Sequence, residues 1–265
     1  MTNTQSLAGR NALITGSVGG LGLAMARKLA SAGANVILHG LDDPDIAGPL
    51  SRAIEDEFGI RAAYCRADLR EPSAVRAMIQ YSGETIGPVH ILINNAVVRH
   101  FACIEDFPIE KWNEALAVNV TAAFLATQMV LPGMRDAQYG RIFNMTSVYG
   151  YRGTVNRVDY VTTKTAIQGL TRAIALETAG GPVTCHALMP GSVLTPLWSD
   201  RLDQMMTEEG LTRPEAEVRF LDGKQPSGRF VDTDSVADVL MLLCGPAGTD
   251  MNGAILPIEG GWLAR

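Results

Sequence analysis

The chain has 265 residues, 47% of them hydrophobic, and carries 22 Lys and Arg against 28 Asp and Glu, a formal charge of −6. That is enough apolar material for a parallel sheet buried on both faces. An acidic balance with no basic run excludes nucleic acid or an anionic membrane as the main partner, which leaves small molecules.

Met1 to Arg10 is polar and lacks an apolar core, and nowhere do 18 apolar residues run uninterrupted. A soluble, cytoplasmic protein is the expectation, with no membrane partner. Cys65, Cys103, Cys185 and Cys244 are far apart and form no CxxC, which suits reduced core thiols. His39, His90, His100 and His186 have no ligand spacing, so no metal site is expected.

In chain order, Asn11 to Thr15 reads as a buried strand, followed by a glycine turn and a helix from Leu21 to Ser31. Further strands are expected at Asn35 to His39, Arg61 to Arg66 and Val89 to Ile93, with helices between them. A long helix from Glu110 to Met134 precedes a strand at Arg141 to Met145. Another from Val158 to Thr178 precedes Val183 to Leu188, and a last strand lies near Ala254 to Ile258. No linker divides the chain, so residues 1–265 are expected to form one doubly wound, Rossmann-type α/β domain of about seven parallel strands with helices on both faces. The strand ends at Gly16, Asn94, Ser147 and Pro190 mark the ligand crevice. Residues 195–227 break the alternation and are rich in Met, Glu and Arg, as a mobile substrate lid would be.

Gly16, Gly20 and Gly22 stand between the first strand and its helix with the spacing GxxxGxG. Gly16 permits the turn, Gly20 lets backbone approach a diphosphate, and Gly22 allows close helix packing, while the helix N-terminus attracts phosphate. Such a turn also serves as a plain strand-to-helix connection.

Tyr160 and Lys164 are at i and i+4, so a helix puts the ammonium and the phenol on one face. A neighbouring cation favours a phenolate, which suits Tyr160 to general acid/base work. Alternatively the two form a surface pair, Ser147 caps a strand end, and Asn119 is a helix polar group satisfied by backbone.

The stretch TGSVGGLG, Asn94-Asn95-Ala96, Ser147 and YVTTK, in this order and spanning essentially the whole chain, resembles the short-chain dehydrogenase/reductase family of classical type. The resemblance implies an oxidoreductase with Asn119, Ser147, Tyr160 and Lys164 as catalytic residues. Ser147 would bond the substrate oxygen, Asn119 would position a relay water and Lys164 would also hold the nicotinamide ribose. Cofactor contacts are implied for Gly16, Ser17, Gly20, Leu21, Gly22, Asp68, Leu69, Asn95, Ala96, Pro190 and Val193, besides Tyr160 and Lys164. Val97 departs from the family's NNAG. Asp68 could equally be a turn cap. After the second strand the chain reads His39-Gly40-Leu41-Asp42-Asp43, with carboxylates and no base, which favours NAD over NADP. A non-catalytic dinucleotide sensor would not need both Tyr160 and Lys164. Epimerases and dehydratases of the extended branch would show another glycine spacing and a further C-terminal domain.

Within that family, Ile104 to Pro108, Glu110 to Trp112, Leu176 to Gly180, Lys224 to Ser227 and the ending Gly260 to Arg265 resemble the bacterial branch acting on (R)-3-hydroxybutyrate. At that branch's four pocket positions this chain has Arg99, Tyr149, Arg157 and, on an ungapped alignment, Arg201. The framework implies a hydroxy acid, and the pocket implies one that is larger, more anionic or sulfonated. Trp112, Trp198 and Trp262 read as core, lid and C-terminal packing. Apolar residues beyond one helix face, Phe124, Leu125, Ile167, Leu170 and Ile174, together with the resemblance, imply a homotetramer.

Overall fold

The computed structural model describes residues 6–264. Seven strands form one all-parallel sheet in the order β3-β2-β1-β4-β5-β6-β7: β1 (Asn11–Ile14), β2 (Asn35–Gly40), β3 (Ala62–Arg66), β4 (Ile91–Asn94), β5 (Gly140–Met145), β6 (Val183–Pro190) and β7 (Ile255–Ile258). β1 and β4 are largely apolar, and they and β5, which carries Arg141 and Asn144, are buried along almost their whole length, as strands covered on both faces must be. The chain runs outward from β1 to β3 and then returns to the other side of β1 at β4. This reversal leaves a crevice beyond the carboxyl ends of β1 and β4.

Helices cover both faces. On one side α1 (Gly20–Ser31) and α9 (Thr233–Cys244) pack with Ile14, Leu38, Ile93 and Phe143. On the other, α3 (Pro72–Ile86), α5 (Ala122–Asp136) and α6 (Val158–Glu177) pack with Leu13, Ile37, Leu92 and Ile142. The odd and even positions of each strand thus feed two cores. The remaining helices are α2 (Pro44–Phe58), α4 (Ile109–Leu116), α7 (Pro196–Glu209), α8 (Arg213–Leu221) and the short α10 (Ala247–Asp250).

Four expectations are corrected. β4 begins two residues later than Val89, although that side chain is buried. The long helix is not one α-helix: α4 and α5 are joined by a π-helical turn, Ala117–Thr121. Cys103 is exposed on the loop after β4, so it is not a core thiol. Leu125, Ile167 and Ile174 are buried within the chain's own core, while Phe124 is 47% exposed. The run Ile109–Asp136 is long and apolar enough to cross a membrane by composition. Its apolar residues Ala122, Ala126, Val130 and Met134 are spent on the sheet.

Residues 195–227 form a helical pair, with α7 and α8 held together by Leu202, Met205 and Ala216 and by Phe220. They stand over the crevice.

His186, buried in β6, stacks on Phe143 with centroids 5.9 Å apart and shares a hydrogen bond with Thr184. Burial, then Arg141, pushes its pKa down to about 4. The unfolded chain therefore binds a proton that the folded one refuses, and stability is lost as pH falls from about 6.5 towards about 4. Urea unfolding should show about 2 kcal/mol less stability at pH 5 than at pH 7 from this residue. His186→Asn should remove that part of the slope, and an unchanged slope would refute the assignment.

Candidate active site

Beyond β1 the chain turns through Gly16, at φ +62°. A Cβ on Gly22 would lie 2.3 Å from the Gly16 carbonyl and 2.7 Å from Asn95 Nδ2. Only glycine allows the start of α1 to sit this close to the turn. Asn95 fastens the turn to β4: its Nδ2 donates to the carbonyls of Thr15 (2.9 Å) and Gly16 (2.7 Å), while Thr15 Oγ1 accepts from the Asn95 and Ala96 amides.

Ser17 is fully buried and does not line the crevice. Its hydroxyl donates to the Ile14 carbonyl and accepts from the His39 amide, so the expected cofactor contact is corrected to a brace between β1 and β2. Val18 takes its place on the wall. His39, absent from the expected site, accepts the Gly16 amide on Nδ1 (3.0 Å), and its Nε2 is 2.9 Å from the Ala67 carbonyl. That pair of partners requires the tautomer protonated on Nε2. Burial holds the ring pKa down, which keeps Nδ1 an acceptor.

The cleft above these elements has a volume of about 850 Å³. Gly20, Leu21 and Gly22 line it from α1, Leu41 and Asp42 from β2, and Asp68 and Leu69 from β3. Asn95, Ala96 and Val97 line it from β4, and Pro190 and Val193 from β6. Asp68 faces the cleft, and its carboxylate accepts from the Arg70 amide and guanidinium, as a turn cap would. Asp42 faces the cleft with no ion-pair partner among the described residues. Thr195 lines the cleft too, and its buried hydroxyl has no partner among the described residues. A helix N-terminus for a diphosphate, a free carboxylate for ribose hydroxyls and an unsatisfied hydroxyl fit a dinucleotide.

At the other end of the cleft stand Ser147, Tyr149, Tyr160 and Lys164. Ser147 follows β5 and caps a short turn, Val148–Gly150, its Oγ accepting from the Tyr149 amide at 3.3 Å. The hydroxyl hydrogen is left to donate. Tyr160 and Lys164 share the inner face of α6, with Nζ 5.6 Å from the phenol ring centroid. Lys164 Nζ donates to the Met145 carbonyl at 2.6 Å. Burial, then Arg99, lowers its pKa to about 8. Asn119 lies beneath the cleft in the π turn, where its amide closes on Val98, accepting from the Val98 N–H and donating to its carbonyl, both at 2.9 Å. A space of about 10 Å³, about one water's worth, lies between Asn119, Lys164 and Ala96.

Arg99 and Arg157 reach the cleft, and Arg201 does not. Arg157 lies over the rings of Phe101 (4.2 Å) and Tyr160 (5.4 Å), and Arg99 over Trp198 (5.4 Å). Arg201 is exposed on α7 and bonds Gln204, because the helical register turns it away from the cleft. Lys224, just beyond α8, lines the cleft instead. A signal for it was present: Arg213 has acid partners in Asp203 and Glu217, whereas Lys224 has no acid at i±3 or i±4. Trp198 and Trp262 also line the cleft, the latter edge-on to Tyr149 at 5.5 Å.

The family model described as short chain dehydrogenase matches residues 10–206. D-beta-hydroxybutyrate dehydrogenase of Cupriavidus necator is 39% identical over 98% of this chain and 100% of its own. The Rhizobium meliloti protein of that name is 34% identical over 97% and 99%. The crystal structure of L-sorbose reductase from Gluconobacter frateurii with NADPH and L-sorbose superposes with a TM-score of 0.92, at 26% identity, over 99% of each chain.

Gly22→Ala should weaken NADH binding at least about tenfold in a fluorescence titration, since a contact of 2.3 Å cannot be relieved without moving the turn. Gly83→Ala, a helix position with open space around it, should bind as the parent does. Equal affinities for all three would refute the cradle.

Proposed function

The chain belongs to the short chain dehydrogenase family, oxidoreductases acting on hydroxyl groups with a nicotinamide dinucleotide, and from that premise we propose that it interconverts a secondary alcohol and a ketone on an anionic hydroxy compound, with NAD as the hydride carrier. The observation that carries the proposal is the pair Arg99 and Arg157, which face the tyrosine end of the cleft with no carboxylate ion pair among the described residues. A carboxylate or sulfonate entering a partly dry cleft recovers its lost hydration through charge-assisted hydrogen bonds, and a guanidinium offers two at once.

Held by the glycine turn, the α1 N-terminus and Lys164, the nicotinamide would supply the hydride acceptor in oxidation and the donor in reduction. In oxidation the substrate's C–H bond gives up a hydride and its O–H bond a proton, leaving the C=O of the ketone. Tyr160 takes that proton, and Ser147 donates a hydrogen bond to the same oxygen, holding the carbinol in place. The Lys164 ammonium, fixed by the Met145 carbonyl, opposes the negative charge on the phenolic oxygen. With a pKa of about 8, Lys164 can hold and release a proton near neutral pH. The one-water space between Lys164 and Asn119 supports an onward path for that proton. The helical pair at residues 195–227 acts as a lid over the substrate.

The free carboxylate of Asp42 supports NAD over NADP, because it would repel an added phosphate. The NADPH of the sorbose reductase structure makes the phosphorylated cofactor the second reading. A homotetramer is proposed as well, supported by apolar side chains left bare on α5 and α6, Phe124 and the 80% exposed Leu176.

Hydroxy acids should give NADH at 340 nm with higher kcat/KM than neutral secondary alcohols of the same length. Neutral alcohols performing best would overturn the substrate class. Tyr160→Phe should lower turnover by on the order of 10² or more while NADH affinity stays within a few-fold. Near-parental turnover would end the assignment of Tyr160. NAD should be preferred to NADP by at least about tenfold, about 1.4 kcal/mol, and Asp42→Ser should narrow the ratio. A parent enzyme indifferent to the phosphate would contradict the role of Asp42.

A further inference from the structure

Besides Lys164, three cations and not two stand at the substrate end of the cleft. Arg157 sits over the rings of Tyr149 and Tyr160. Arg99 and Lys224 flank a different feature: Arg99 lies over Trp198, Lys224 Nζ lies 4.4 Å from the centroid of Phe220, and those two rings are 5.1 Å apart. The lid therefore presents an aromatic pair with a positive charge at either edge. Among the described residues, Lys224 donates only to the Phe220 carbonyl.

The acids nearby do not balance this charge. Glu114 is engaged with Lys111 at 2.9 Å and lies near His100 and Arg70. Asp159, fully buried and accepting from the His100 amide, acts on Arg157 and offsets one charge. With Lys164 set aside for Tyr160, three cations against one acid leave a surplus of two. Burial, and after it Arg99, lowers the Arg157 pKa, and burial, and after it Arg157, lowers that of Lys224. Nor does the surplus belong to the cofactor's phosphates, since the α1 N-terminus and Asp42 lie along the other end of the cleft.

Resting on the anionic substrate proposed above, we infer that the substrate carries two negative charges: a secondary alcohol with a carboxylate near Arg157 and a second acidic group, carboxylate or sulfonate, between Arg99 and Lys224. A monocarboxylate would leave one of these cations desolvated and unpaired, which is costly in a partly dry site. A doubly charged substrate engages both subsites at once.

The test compares 3-hydroxybutyrate, 3-hydroxyglutarate, 3-hydroxyglutarate monomethyl ester and 3-hydroxy-4-sulfobutyrate as substrates with NAD. The parent enzyme should favour at least one dianion over both monoanions by tenfold or more in kcat/KM. Lys224→Gln should cost that dianion about tenfold, chiefly in KM, while 3-hydroxybutyrate changes less than threefold and NADH affinity is kept; Arg99→Gln should cost the dianion more than it costs 3-hydroxybutyrate. Monoanions equal to or better than every dianion would overturn this inference while leaving the anionic substrate standing. A neutral secondary alcohol better than all the acids would remove both. A dianion preference unaltered by either substitution would overturn the assignment of Arg99 and Lys224.

Discussion

Everything at this site hangs on the close approach of the β1 turn to the β4 loop. Parallel strands that reverse their order leave a crevice between β1 and β4, and the crevice is useful only if both loops hold their shape. Two side chains from within them do this, Thr15 and Asn95, each satisfying several backbone groups of its neighbour. Buried backbone polar groups must find partners, so the knot is enforced by the cost of leaving any of them unmade. Ser17 and His39 extend it to β2 and β3. Gly16 and Gly22 are the positions where the packing leaves no room for a Cβ.

The opposite end of the cleft is built by a second set of constraints. Lys164 is anchored to β5 through the Met145 carbonyl, and Asn119 ties the loop after β4 to the helix layer through Val98 and Thr163. The π turn that presents Asn119 is a local departure from α geometry of the kind often found at functional positions. The groups proposed to react are therefore set by the sheet and the helices, while the cations proposed to choose the substrate come from loops and from the helical pair at residues 195–227.

Much of this was legible in the sequence because its signals are local. Buried strands are runs of apolar residues, the glycine turn lies between a strand and a helix, and Tyr160 and Lys164 declare their shared face by spacing alone. What failed was register and direction. Ser17 sits in the turn's sequence but points into the sheet, and Arg201 sits in the right segment on the wrong face of its helix. Lys224 was visible as framework, yet its place in the cleft depends on how α8 ends and packs, which no periodicity states. The bulge in the long helix leaves no mark in an apolar pattern, and the chain's own core claims most of the residues that looked spare on α5 and α6.

The central claim is that uncompensated positive charge beside Tyr160 selects an acidic alcohol. Its most direct test is the dependence of kcat/KM on ionic strength for one hydroxy acid and for its uncharged methyl ester, with NAD saturating. Salt screens attraction between charges and leaves a neutral substrate almost untouched. The account predicts a steep fall for the acid and a flat line for the ester; parallel lines for the two would contradict it.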